Sequence, residues 1–480
     1  MKLAKNKKVY IVYPPISKEE RYSSKIGAAG GNQIPLGIFY LASYLRENGF
    51  EVAVSDGEAE NLQVEDILNV VREFSPNFVA ISSTTVAFHR AIELARQIKN
   101  SYPNIIIILG GPHLTSNVEH ALSFDCFDYG VLREGEITIV ELLSHLYESK
   151  NIHEINGIAY RNNQNEIIVT KPREYIDNLD MLPFPAYDLI KDINLYAPPP
   201  SNYKDLPVIN IITSRGCPGL CTFCDNNVFG RKYRQRSAEN IFQEIKYLYN
   251  NYKIKEIAFV DDTLLITKKR LIKLFELLEY ERIRLPWTCM ARINDVNYEL
   301  LQYIKSKGCW HISFGIESGD ESILKTIKKQ LSLEKVEQVI HWCKVLKIKT
   351  KGFFIIGHPG ETLATVDKTI EFACKLDIDD VVATINTPIP GTVQYAEIDK
   401  YGTADITDWS QFNYWRPVFV PKGLSKEILL EKHKEFYKRF YFRPRIIVRY
   451  FKSFFGRGGW RRFISLVKAS EFIFLDNKNK

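Results

Sequence analysis

Short apolar runs alternate with helix-length segments over the first third of the chain. The runs predict strands at 9–13, 51–55, 78–82, 105–109 and 129–132, and helical spacing predicts helices at 36–48, 64–74, 88–99 and 136–147. Strands that alternate with helices of this length are typical of βαβ units and a parallel sheet. Residues 1–147 are therefore predicted to form a Rossmann-like α/β domain.

Small and polar residues follow the predicted strands of this domain, where a parallel sheet binds its ligand. They are Ser82, Ser83, Thr84, Thr85, Gly110, Gly111, His113, Glu134 and Gly135. Glycine and small side chains let the backbone approach a bulky ligand closely. No GxGxxG follows the first strand, so the dinucleotide fingerprint is absent. The pattern favours a pocket for another bulky ligand; ordinary loop residues, with His113 as a surface histidine, are the alternative.

Residues 148–202 have a different character. A hairpin is predicted from 157–161 and 167–170, and proline-rich stretches follow at Leu182–Pro185 and Ala197–Pro200. Proline at this density is typical of an extended connector. We therefore expect a linker with a hairpin, and the domain boundary, in this stretch.

A second series of strands is predicted at 208–213, 256–261, 286–291, 311–316, 350–356 and 380–386, with helices between them. Six βα units indicate a partial (β/α)6 barrel of TIM type over 203–400. Polar, charged and glycine residues follow each strand, which is where barrel enzymes carry their chemistry. A helical, basic C-terminal region is predicted over 401–480.

Composition is that of a globular protein, with 45% hydrophobic and 25% charged residues among 480. No apolar run approaches the roughly 18 residues of a membrane span, and the N-terminus lacks a signal-peptide pattern, so the cytoplasm is predicted. The net charge of +7 is concentrated in 438–468, which holds ten Lys or Arg residues and no acidic residue. A broad nucleic-acid-binding surface is therefore not indicated.

Three of the eight cysteines crowd into one short segment as Cys217-x3-Cys221-x2-Cys224, directly after the first barrel strand. Three thiolates on one loop can hold three irons of a cubane cluster and leave the fourth iron open. A zinc ion prefers a fourth close ligand, and the next histidine downstream is His311. An iron–sulfur cluster is favoured over a zinc site and over three buried structural thiols.

The segment from Ser214 to Cys224 resembles the cluster loop of radical S-adenosylmethionine (radical SAM) enzymes. Further segments are similar to the subgroup that carries an N-terminal cobalamin-binding domain: 259–263, 315–319, 357–362, 388–392 and 436–444. The likeness covers nearly the whole chain. It implies that the Rossmann-like domain binds cobalamin and that the barrel holds a 4Fe-4S cluster at Cys217, Cys221 and Cys224.

The resemblance also implies an activity. The open iron would chelate S-adenosylmethionine, whose reductive cleavage yields a deoxyadenosyl radical that abstracts hydrogen from an unactivated carbon. In methylating members, methylcobalamin then supplies the methyl group. A cobalamin-dependent methyltransferase acting on a small molecule is the expected function, with flavodoxin or ferredoxin as electron donor. No catalytic residue is assigned.

Five residues are candidates for contacts with S-adenosylmethionine. Phe223 lies inside the cysteine motif and can shield the cluster from water. Asp262 could accept a hydrogen bond from the methionine ammonium, with a helix N-cap as the alternative. Arg292 could pair with the carboxylate, with a surface salt bridge as the alternative. Glu317 and Ser318 could bind the ammonium or the ribose hydroxyls.

The first domain departs from many cobalamin proteins, in which an Asp-x-His-x-x-Gly motif supplies a cobalt ligand. The matching loop here is Asp56-Gly57-Glu58, with no histidine two residues after the aspartate. This predicts cobalamin bound without a histidine from this loop. A domain that has lost cobalamin is the alternative.

Three other functions compete with this prediction. A methylthiotransferase is disfavoured because its additional N-terminal cysteines are missing, with only Cys126 in the first domain. An oxidative cyclase of the porphyrin-ester type, or a rearrangement enzyme, shares the same domains and stays open. The third hypothesis is a non-enzymatic redox sensor that uses the cluster or cobalamin as a switch.

The basic tail interleaves aromatic and cationic residues, among them Arg443, Arg445, Arg449, Tyr450 and Phe451. Mixed helices of this kind can lie on anionic membranes, and they can also pack on the barrel with their charges outward. The tail motivates the hypothesis of a lipid-like or membrane-proximal substrate, with peripheral membrane contact. Nucleic acid is not the expected partner.

Overall fold

The computed structural model describes residues 7–22 and 30–454, with side chains to residue 451. These residues divide into two compact units. Within the described ranges, unit 1 comprises 7–21, Pro35–Leu195 and Asp225–Lys232, and unit 2 comprises 22, 30–34, Tyr196–Cys224 and 233–454.

Unit 1 carries the first seven strands of the chain and the helices between them. In order these are β1 (Lys8–Tyr13), α1 (Lys18–Tyr22), α2 (Leu36–Glu47), β2 (Glu51–Asp56), α3 (Val64–Phe74), β3 (Phe78–Ser82), α4 (Phe88–Ser101), β4 (Ile106–Gly110), α5 (Pro112–Ser116), α6 (Val118–Leu122), β5 (Tyr129–Val131), α7 (Glu136–Glu148), β6 (Ile158–Arg161) and β7 (Ile167–Val169).

The seven strands form one sheet in the order β2-β1-β3-β4-β5-β6-β7. The first five are parallel, for example with Val9 opposite Phe78, whereas β6 and β7 add as an antiparallel hairpin beside β5. The hairpin that sequence pattern assigned to the linker therefore extends the first sheet. The rows of Ile, Val, Phe and Ala on β1, β3 and β4 are buried and pack against α3 and α4.

Unit 2 carries the remaining elements. They are β8 (Val208–Ile211), β9 (Ser214–Arg215), β10 (Arg234–Gln235), α8 (Ala238–Tyr252), β11 (Glu256–Phe259), α9 (Lys268–Tyr280), β12 (Trp287–Ala291), α10 (Tyr298–Ser306), β13 (Cys309–Glu317), α11 (Glu321–Thr326), α12 (Leu333–Val345), β14 (Lys349–Ile356), α13 (Leu363–Lys375), β15 (Asp380–Ile385), α14 (Val393–Ala396), α15 (Ile398–Tyr401), β16 (Gly402–Ala404), β17 (Phe419–Pro421), α16 (Lys426–Tyr441) and α17 (Pro444–Phe454).

Six parallel strands of unit 2 lie in sequence order, β8-β11-β12-β13-β14-β15, with β8 and β15 at the edges. This is the sheet of the predicted partial barrel, and each predicted strand lies within two residues of its position in the structure. Helices start where the sequence offers a cap: the side chains of Ser237, Asn297 and Ser332 each accept a backbone N–H of the following first turn. Local chemistry and hydrophobic pattern thus agree along the barrel.

The basic tail begins with α16 and α17. Arg445 donates to the carbonyl of Cys374 at 3.0 Å, and Arg449 donates to the carbonyl of Ile378 at 3.1 Å and to Asp377 at 3.0 Å. Cations near the last carbonyls of a helix interact favourably with its dipole, and here they meet the end of α13. Ile447 and Val448 are instead about half exposed, at 51% and 52%. Arg445 and Arg449 therefore reach backbone carbonyls of the barrel, Ile446 is buried, and Ile447 and Val448 face outward, so the charges do not simply point outward as in the packing alternative drawn from sequence.

The distal part of the predicted tail, including Arg457, Trp460, Arg461 and Arg462, lies outside the described residues. Within 7–22 and 30–454, the helices are all too short or too polar to span a bilayer.

Candidate active site

The cysteine loop leaves the barrel after β8 and β9, and its starting point is fixed by Asp261. The buried Asp261 Oδ1 accepts hydrogen bonds from Thr213 N at 2.9 Å, Thr213 Oγ1 at 2.8 Å and Ser214 Oγ at 2.5 Å. Asp261 follows the neighbouring strand β11. The loop that carries the three cysteines is therefore tied to the carboxyl end of the next strand.

Thr222 fixes the middle of the loop, between two of the cysteines. Its N–H donates to the carbonyl of Ile327 at 3.0 Å, and its carbonyl accepts from the N–H of Gln394 at 3.1 Å. Ile327 lies just after α11 and Gln394 lies in α14. Two distant segments of the barrel therefore hold the backbone around Cys221.

The thiols of Cys217 and Cys221 flank Gly219. A Cβ built on Gly219 would lie 3.3 Å from Cys217 Sγ and 3.9 Å from Cys221 Sγ, and the Gly219 N–H donates to Cys217 Sγ at 3.4 Å. A side chain at 219 would crowd the Cys217 sulfur and contact the Cys221 sulfur. Glycine therefore leaves room beside both thiols.

Cys224 is exposed, yet desolvation of its thiol by the surrounding loop raises its pKa to about 12, and the neighbouring Cys221 and Asp262 add to the shift. Burial also raises the pKa of Cys221, although the Lys329 cation opposes it. Cluster binding must therefore release protons from these thiols. No three His, Cys, Asp or Glu side chains of the described ranges already converge on one point, so the thiols must turn toward a shared cluster.

Three free thiols on one anchored loop, with a glycine that leaves room beside two of them, fit a 4Fe-4S cluster with one iron left open. The donor set is also unlike a structural zinc site, which is closed by four protein ligands.

Lys329 and Glu317 form a buried ion pair beside the cysteine loop. Lys329 Nζ lies 2.7 Å from Glu317 Oε1, and both side chains are largely shielded from water. Electrostatic attraction to Glu317, Cys221 and Cys224 outweighs burial and raises the pKa of Lys329. Lys329 was not among the residues singled out from sequence, because a second lysine after a short helix has no distinguishing pattern.

The backbone at the end of β13 is shaped for this pair. Glu317 has φ of +71°, in the left-handed region that non-glycine residues rarely adopt, and the pairing of β13 with β14 is irregular between Gly315 and Glu317. A Cβ on Gly315 would lie 2.4 Å from Glu317 Oε1 and 2.9 Å from Lys329 Nζ. Glycine at 315 therefore leaves room for the charged groups.

Phe223, predicted to shield the cluster, packs with the apolar cluster of Ile323, Leu324 and Ile327. Its ring centroid lies 5.8 Å from Lys329 Nζ and 5.6 Å from the ring centroid of His358. The ring thus sits among groups from α11 and from the loop after β14.

Asp262 and Arg292 lie at the carboxyl ends of β11 and β12. Thr263, not Asp262, is the N-cap position of the next 3-10 turn, and Asp262 is exposed. Although the residue is exposed, desolvation of its carboxylate group and repulsion from Asp261 raise the pKa of Asp262. Arg292 Nε is 3.8 Å from Asp295 Oδ2, a loose pair that leaves the guanidinium available to a ligand.

Ser318, predicted to contact the ammonium or the ribose hydroxyls, has partners within the protein. It is fully buried, its Oγ lies 3.1 Å from Thr369 Oγ1, and it accepts the N–H of Asp320 at 3.2 Å. Asp320 in turn caps α11 by accepting from Ser322 N at 2.9 Å. These contacts join the loop after β13 to α13, so the hydroxyl is engaged within the protein.

His358 and Glu361, in the loop after β14, were quoted in the sequence motif without a role. Glu361 Oε2 accepts the N–H groups of Gly357 and His358, the latter at 3.0 Å, while burial raises the pKa of Glu361 to about 8. The His358 ring is fully buried, and neither ring nitrogen has a hydrogen-bond partner among the described residues.

The predicted cobalamin residues of unit 1 line the carboxyl edge of its own sheet. Gly111 has φ of +95°, and a Cβ there would lie 2.6 Å from the carbonyl oxygen of Ser83. A Cβ on Gly110 would meet only the Val131 carbonyl oxygen, at 3.9 Å. The Tyr13 hydroxyl lies 3.2 Å from Thr84 Oγ1. The open space at Gly110, at the same sheet edge as these hydroxyls, fits a bulky ligand such as a corrin ring.

Other predicted residues at this edge are engaged within the protein. His113 is buried, with Nδ1 3.2 Å from Thr85 Oγ1 and Nε2 3.2 Å from His120 Nδ1. Burial and the His120 charge lower the pKa of His113 to about 3. Glu134 Oε2 accepts from Ile176 N at 2.8 Å. Ser82 is the last residue of β3, Ser83 follows it, and Gly135 is the N-cap position of α7.

Glu58 occupies the position at which many cobalamin proteins have a histidine. Its Oε2 lies 2.5 Å from Arg21 Nη1, and its Oε1 has no hydrogen-bond partner among the described residues. The loop therefore offers a carboxylate paired with an arginine in place of an imidazole, in agreement with the absence of a histidine in its sequence.

Two family profiles match the chain. Residues 25–143 match the B12-binding domain and include β2 to β5, and residues 211–373 match the radical SAM superfamily and include the cysteine loop and β11 to β14. A full-length relative, an uncharacterized methyltransferase of Pyrococcus horikoshii, is 34% identical over 92% of this chain and 94% of its own length. The chain belongs to the radical SAM enzymes that carry a B12-binding domain.

Two further relatives bear names of defined reactions. The hopanoid C-3 methylase of Methylococcus capsulatus is 30% identical over 75% of this chain and 67% of its own length. The anaerobic magnesium-protoporphyrin IX monomethyl ester cyclase of Rubrivivax gelatinosus is 26% identical over 88% of this chain and 76% of its own length.

Solved structures share the fold. OxsB, a cobalamin-dependent radical SAM enzyme with aqua-cobalamin and S-adenosylmethionine bound, has a TM-score of 0.74 at 17% identity and covers 99% of this chain and 74% of its own. TsrM from Kitasatospora setae, with cobalamin and a [4Fe-4S] cluster bound, has a TM-score of 0.67 at 16% identity and covers 92% and 90%.

The family assignment confirms four predictions from sequence: the α/β fold class, a radical SAM enzyme, the B12-binding nature of the first domain, and the cofactor set of 4Fe-4S cluster, S-adenosylmethionine and cobalamin. The individual contact residues and the domain boundaries at 147, 202 and 400 stay predictions.

Proposed function

We propose that this enzyme transfers a methyl group to an unactivated carbon of a small molecule. The observation that carries the proposal is one chain that combines an anchored three-cysteine loop at the carboxyl end of a barrel with a B12-binding domain. When bound, the cluster supplies the electron for reductive cleavage of S-adenosylmethionine, and cobalamin supplies the methyl group.

The barrel's own residues bind and orient the amino-acid end of S-adenosylmethionine. Glu317 and Asp262 carry negative charge suited to its ammonium group, and Lys329 and Arg292 carry positive charge suited to its carboxylate. Lys329 and Glu317 are buried and 2.7 Å apart. The ammonium of the S-adenosylmethionine zwitterion can therefore pair with Glu317 while its carboxylate pairs with Lys329. Ser318 is a positioning residue in this scheme, through Asp320 and α11.

The sheet edge of unit 1 binds cobalamin through its open turns. Gly110 and Gly111 allow close approach of the ring, and Ser82, Thr84 and Tyr13 supply hydroxyl groups beside it. Glu134 and the His113–Thr85 pair hold the neighbouring turns from beneath. The loop at Glu58 supplies no imidazole for cobalt, so we propose that cobalamin binds without a histidine from this loop.

The test is anaerobic reconstitution with iron, sulfide and cobalamin, followed by S-adenosylmethionine and a reductant. Mass spectrometry then measures deoxyadenosine and S-adenosylhomocysteine. Both products support methyl transfer. Deoxyadenosine alone supports cyclisation or rearrangement, a second candidate favoured by the relatives named as ester cyclases, and it contradicts our proposal. If S-adenosylmethionine stays intact although the cluster is redox-active, the result supports the hypothesis of a redox sensor and contradicts the proposal of an enzyme.

We further propose a lipid-like substrate and peripheral membrane contact through α17. The half-exposed row of Ile447, Val448 and Phe451 suits insertion into the boundary of a bilayer, and the name of the hopanoid C-3 methylase supports the substrate class. Arg443, Arg445 and Arg449 are engaged by barrel carbonyls and by Asp377, so contact depends on the apolar row more than on these cations.

Liposome co-sedimentation tests this contact. Changing Ile447 and Val448 to serine should reduce binding to anionic and neutral vesicles alike, whereas Lys426→Ser on α16 serves as the control. Equal binding of the double variant and the parent protein contradicts membrane contact through α17. A reduced flavodoxin or ferredoxin is the proposed electron donor, and either should replace a chemical reductant in the reconstituted assay.

A further inference from the structure

His358 is the most isolated polar side chain at the barrel's carboxyl end. Its relative exposure is 0%, and neither Nδ1 nor Nε2 has a hydrogen-bond partner among the described residues. Buried polar groups are almost always satisfied, so an imidazole with two unsatisfied nitrogens points to a missing ligand. His433 of unit 2 is also buried, at 1% exposure. Unlike His358, it has a partner, because its Nε2 lies 2.8 Å from the Ala383 carbonyl oxygen.

The position of the ring indicates which ligand this is. The His358 centroid lies 5.6 Å from that of Phe223, the residue between Cys221 and Cys224. Its own backbone is held by Glu361, which accepts the His358 N–H at 3.0 Å and so fixes the turn that carries the ring. The imidazole therefore lies against the cysteine loop at Phe223, on a turn after β14 that Glu361 holds.

The chemistry of a neutral imidazole suits a cluster sulfur. Burial and the nearby Lys329 cation keep the ring neutral, with one N–H donor and one acceptor nitrogen. Sulfide and thiolate sulfurs of an iron–sulfur cluster accept hydrogen bonds, and such bonds tune its reduction potential. Glu317, Lys329, Asp262 and Arg292 already supply the charged groups expected to meet the amino-acid end of S-adenosylmethionine.

We propose that His358 donates a hydrogen bond to a sulfur of the cluster held by Cys217, Cys221 and Cys224, and thereby raises the reduction potential of that cluster. The inference rests on the proposed cluster site. His358 acts as a positioning and tuning residue, because it lowers the cost of adding an electron without contacting the reacting carbon. A donor to sulfur stabilises the reduced, more negative cluster more than the oxidised one.

The test compares midpoint potentials of reconstituted proteins by EPR-monitored redox titration without S-adenosylmethionine. His358→Phe keeps an aromatic ring and removes both nitrogens, and His358→Gln keeps an N–H donor. We expect the phenylalanine variant to retain full iron content with a lower potential, and the glutamine variant to recover part of the difference. His433→Phe is the matched control and should leave the potential unchanged.

Each other outcome decides against the proposal or against its premise. An unchanged potential in His358→Phe at full iron content overturns the hydrogen bond, and weaker binding of S-adenosylmethionine in the same variant would place His358 on that ligand instead. Absence of iron from the parent protein refutes the cluster site itself.

If His358→Phe does not fold, the parent enzyme labelled with 15N-histidine provides the decision. A nitrogen coupling to the reduced cluster in pulsed EPR supports the proposal, and its absence overturns it.

Discussion

The two ends of the barrel in unit 2 both bury charged and polar side chains, but they treat them differently. At the amino ends of the strands, Glu256 accepts from Lys204 N at 2.7 Å and from Trp310 Nε1 at 2.7 Å, and Asp380 pairs with Lys351 at 2.9 Å. At the carboxyl ends, unsatisfied buried atoms remain on Asp261, His358 and Asn386.

This contrast teaches how to separate stability from function in one sheet. Polar groups that are fully paired contribute to the folded state, and breaking one pair leaves the other group buried and unpaired. Polar groups without partners cost stability and are retained where a ligand completes them. We therefore infer that ligands bind at the carboxyl end, which is also where the cysteine loop lies.

The largest expected effect is at the carboxyl end, in Cys221→Ser. Loss of one of three thiolates should abolish cluster binding and turnover while leaving the apoprotein folded, because the thiol is not part of the apolar core. Iron content, visible absorbance and deoxyadenosine formation measure the loss. Cys374→Ser on α13 is the control and should retain iron. Retention of a full cluster in Cys221→Ser would refute the assigned ligands.

The amino end should give the opposite result in Asp380→Asn. Burial alone would raise the pKa of Asp380, but Lys351 and Tyr441 hold it below its ordinary value. Removing the charge leaves the buried Lys351 ammonium without an ionic partner, with only neutral acceptors such as Asn202 Oδ1 at 2.6 Å, at a cost of about 3–5 kcal/mol. The melting temperature should fall, and cluster binding by protein that remains folded should be unchanged. The double variant with Lys351→Met should be less destabilised than Asp380→Asn.

A pH effect is expected from Glu361→Gln. Burial raises the pKa of Glu361 from 4.5 to about 8, so the folded state binds this proton more tightly than the unfolded chain does. Stability from this group is therefore present at acidic pH and is lost as pH rises toward about 8. Glutamine cannot titrate but keeps an oxygen for the Gly357 and His358 N–H groups. The difference in melting temperature between variant and parent should shift in favour of the variant with rising pH, and a constant difference would contradict the assignment.

The smallest effect compares one hydrogen bond at each end. Tyr441→Phe removes a hydroxyl that donates to Asp380, and a hydrogen bond to a charged group contributes about 1.5–3 kcal/mol. Asn386→Leu removes an amide whose Nδ2 has no partner among the described residues. Its stability should change by less than about 1 kcal/mol, since no hydrogen bond is lost. Equal losses in the two variants, measured by denaturant titration, would remove the contrast between the ends.

Much of the fold could be predicted because its signals are local. Apolar runs and caps such as Ser237 locate each βα unit, and the spacing of Cys217, Cys221 and Cys224 identifies the cluster loop. Pairing of β6 with β5 could not be predicted, because registry between strands depends on distant residues. Lys329 could not be predicted as a site residue for the same reason, because its role depends on its contact with Glu317 in the folded chain.

Side-chain direction was the other limit. His113 follows a strand as a ligand-binding residue would, yet it turns inward to Thr85 and His120. A charge pattern likewise cannot distinguish an arginine that faces lipid from one that faces carbonyl oxygens. The sequence therefore predicted which edge of each sheet binds a ligand. It could not predict which residues at that edge face a ligand and which face the protein interior.

The arginines of α17 have a practical consequence for handling this enzyme. Because Arg445 and Arg449 bind the carbonyls of Cys374 and Ile378, they secure the turn that leads into the edge strand β15. Truncating the chain before residue 443 to remove the apolar tail would delete these hydrogen bonds to the turn before β15. Trimming after 454 spares these contacts and is the safer way to obtain material for crystallisation.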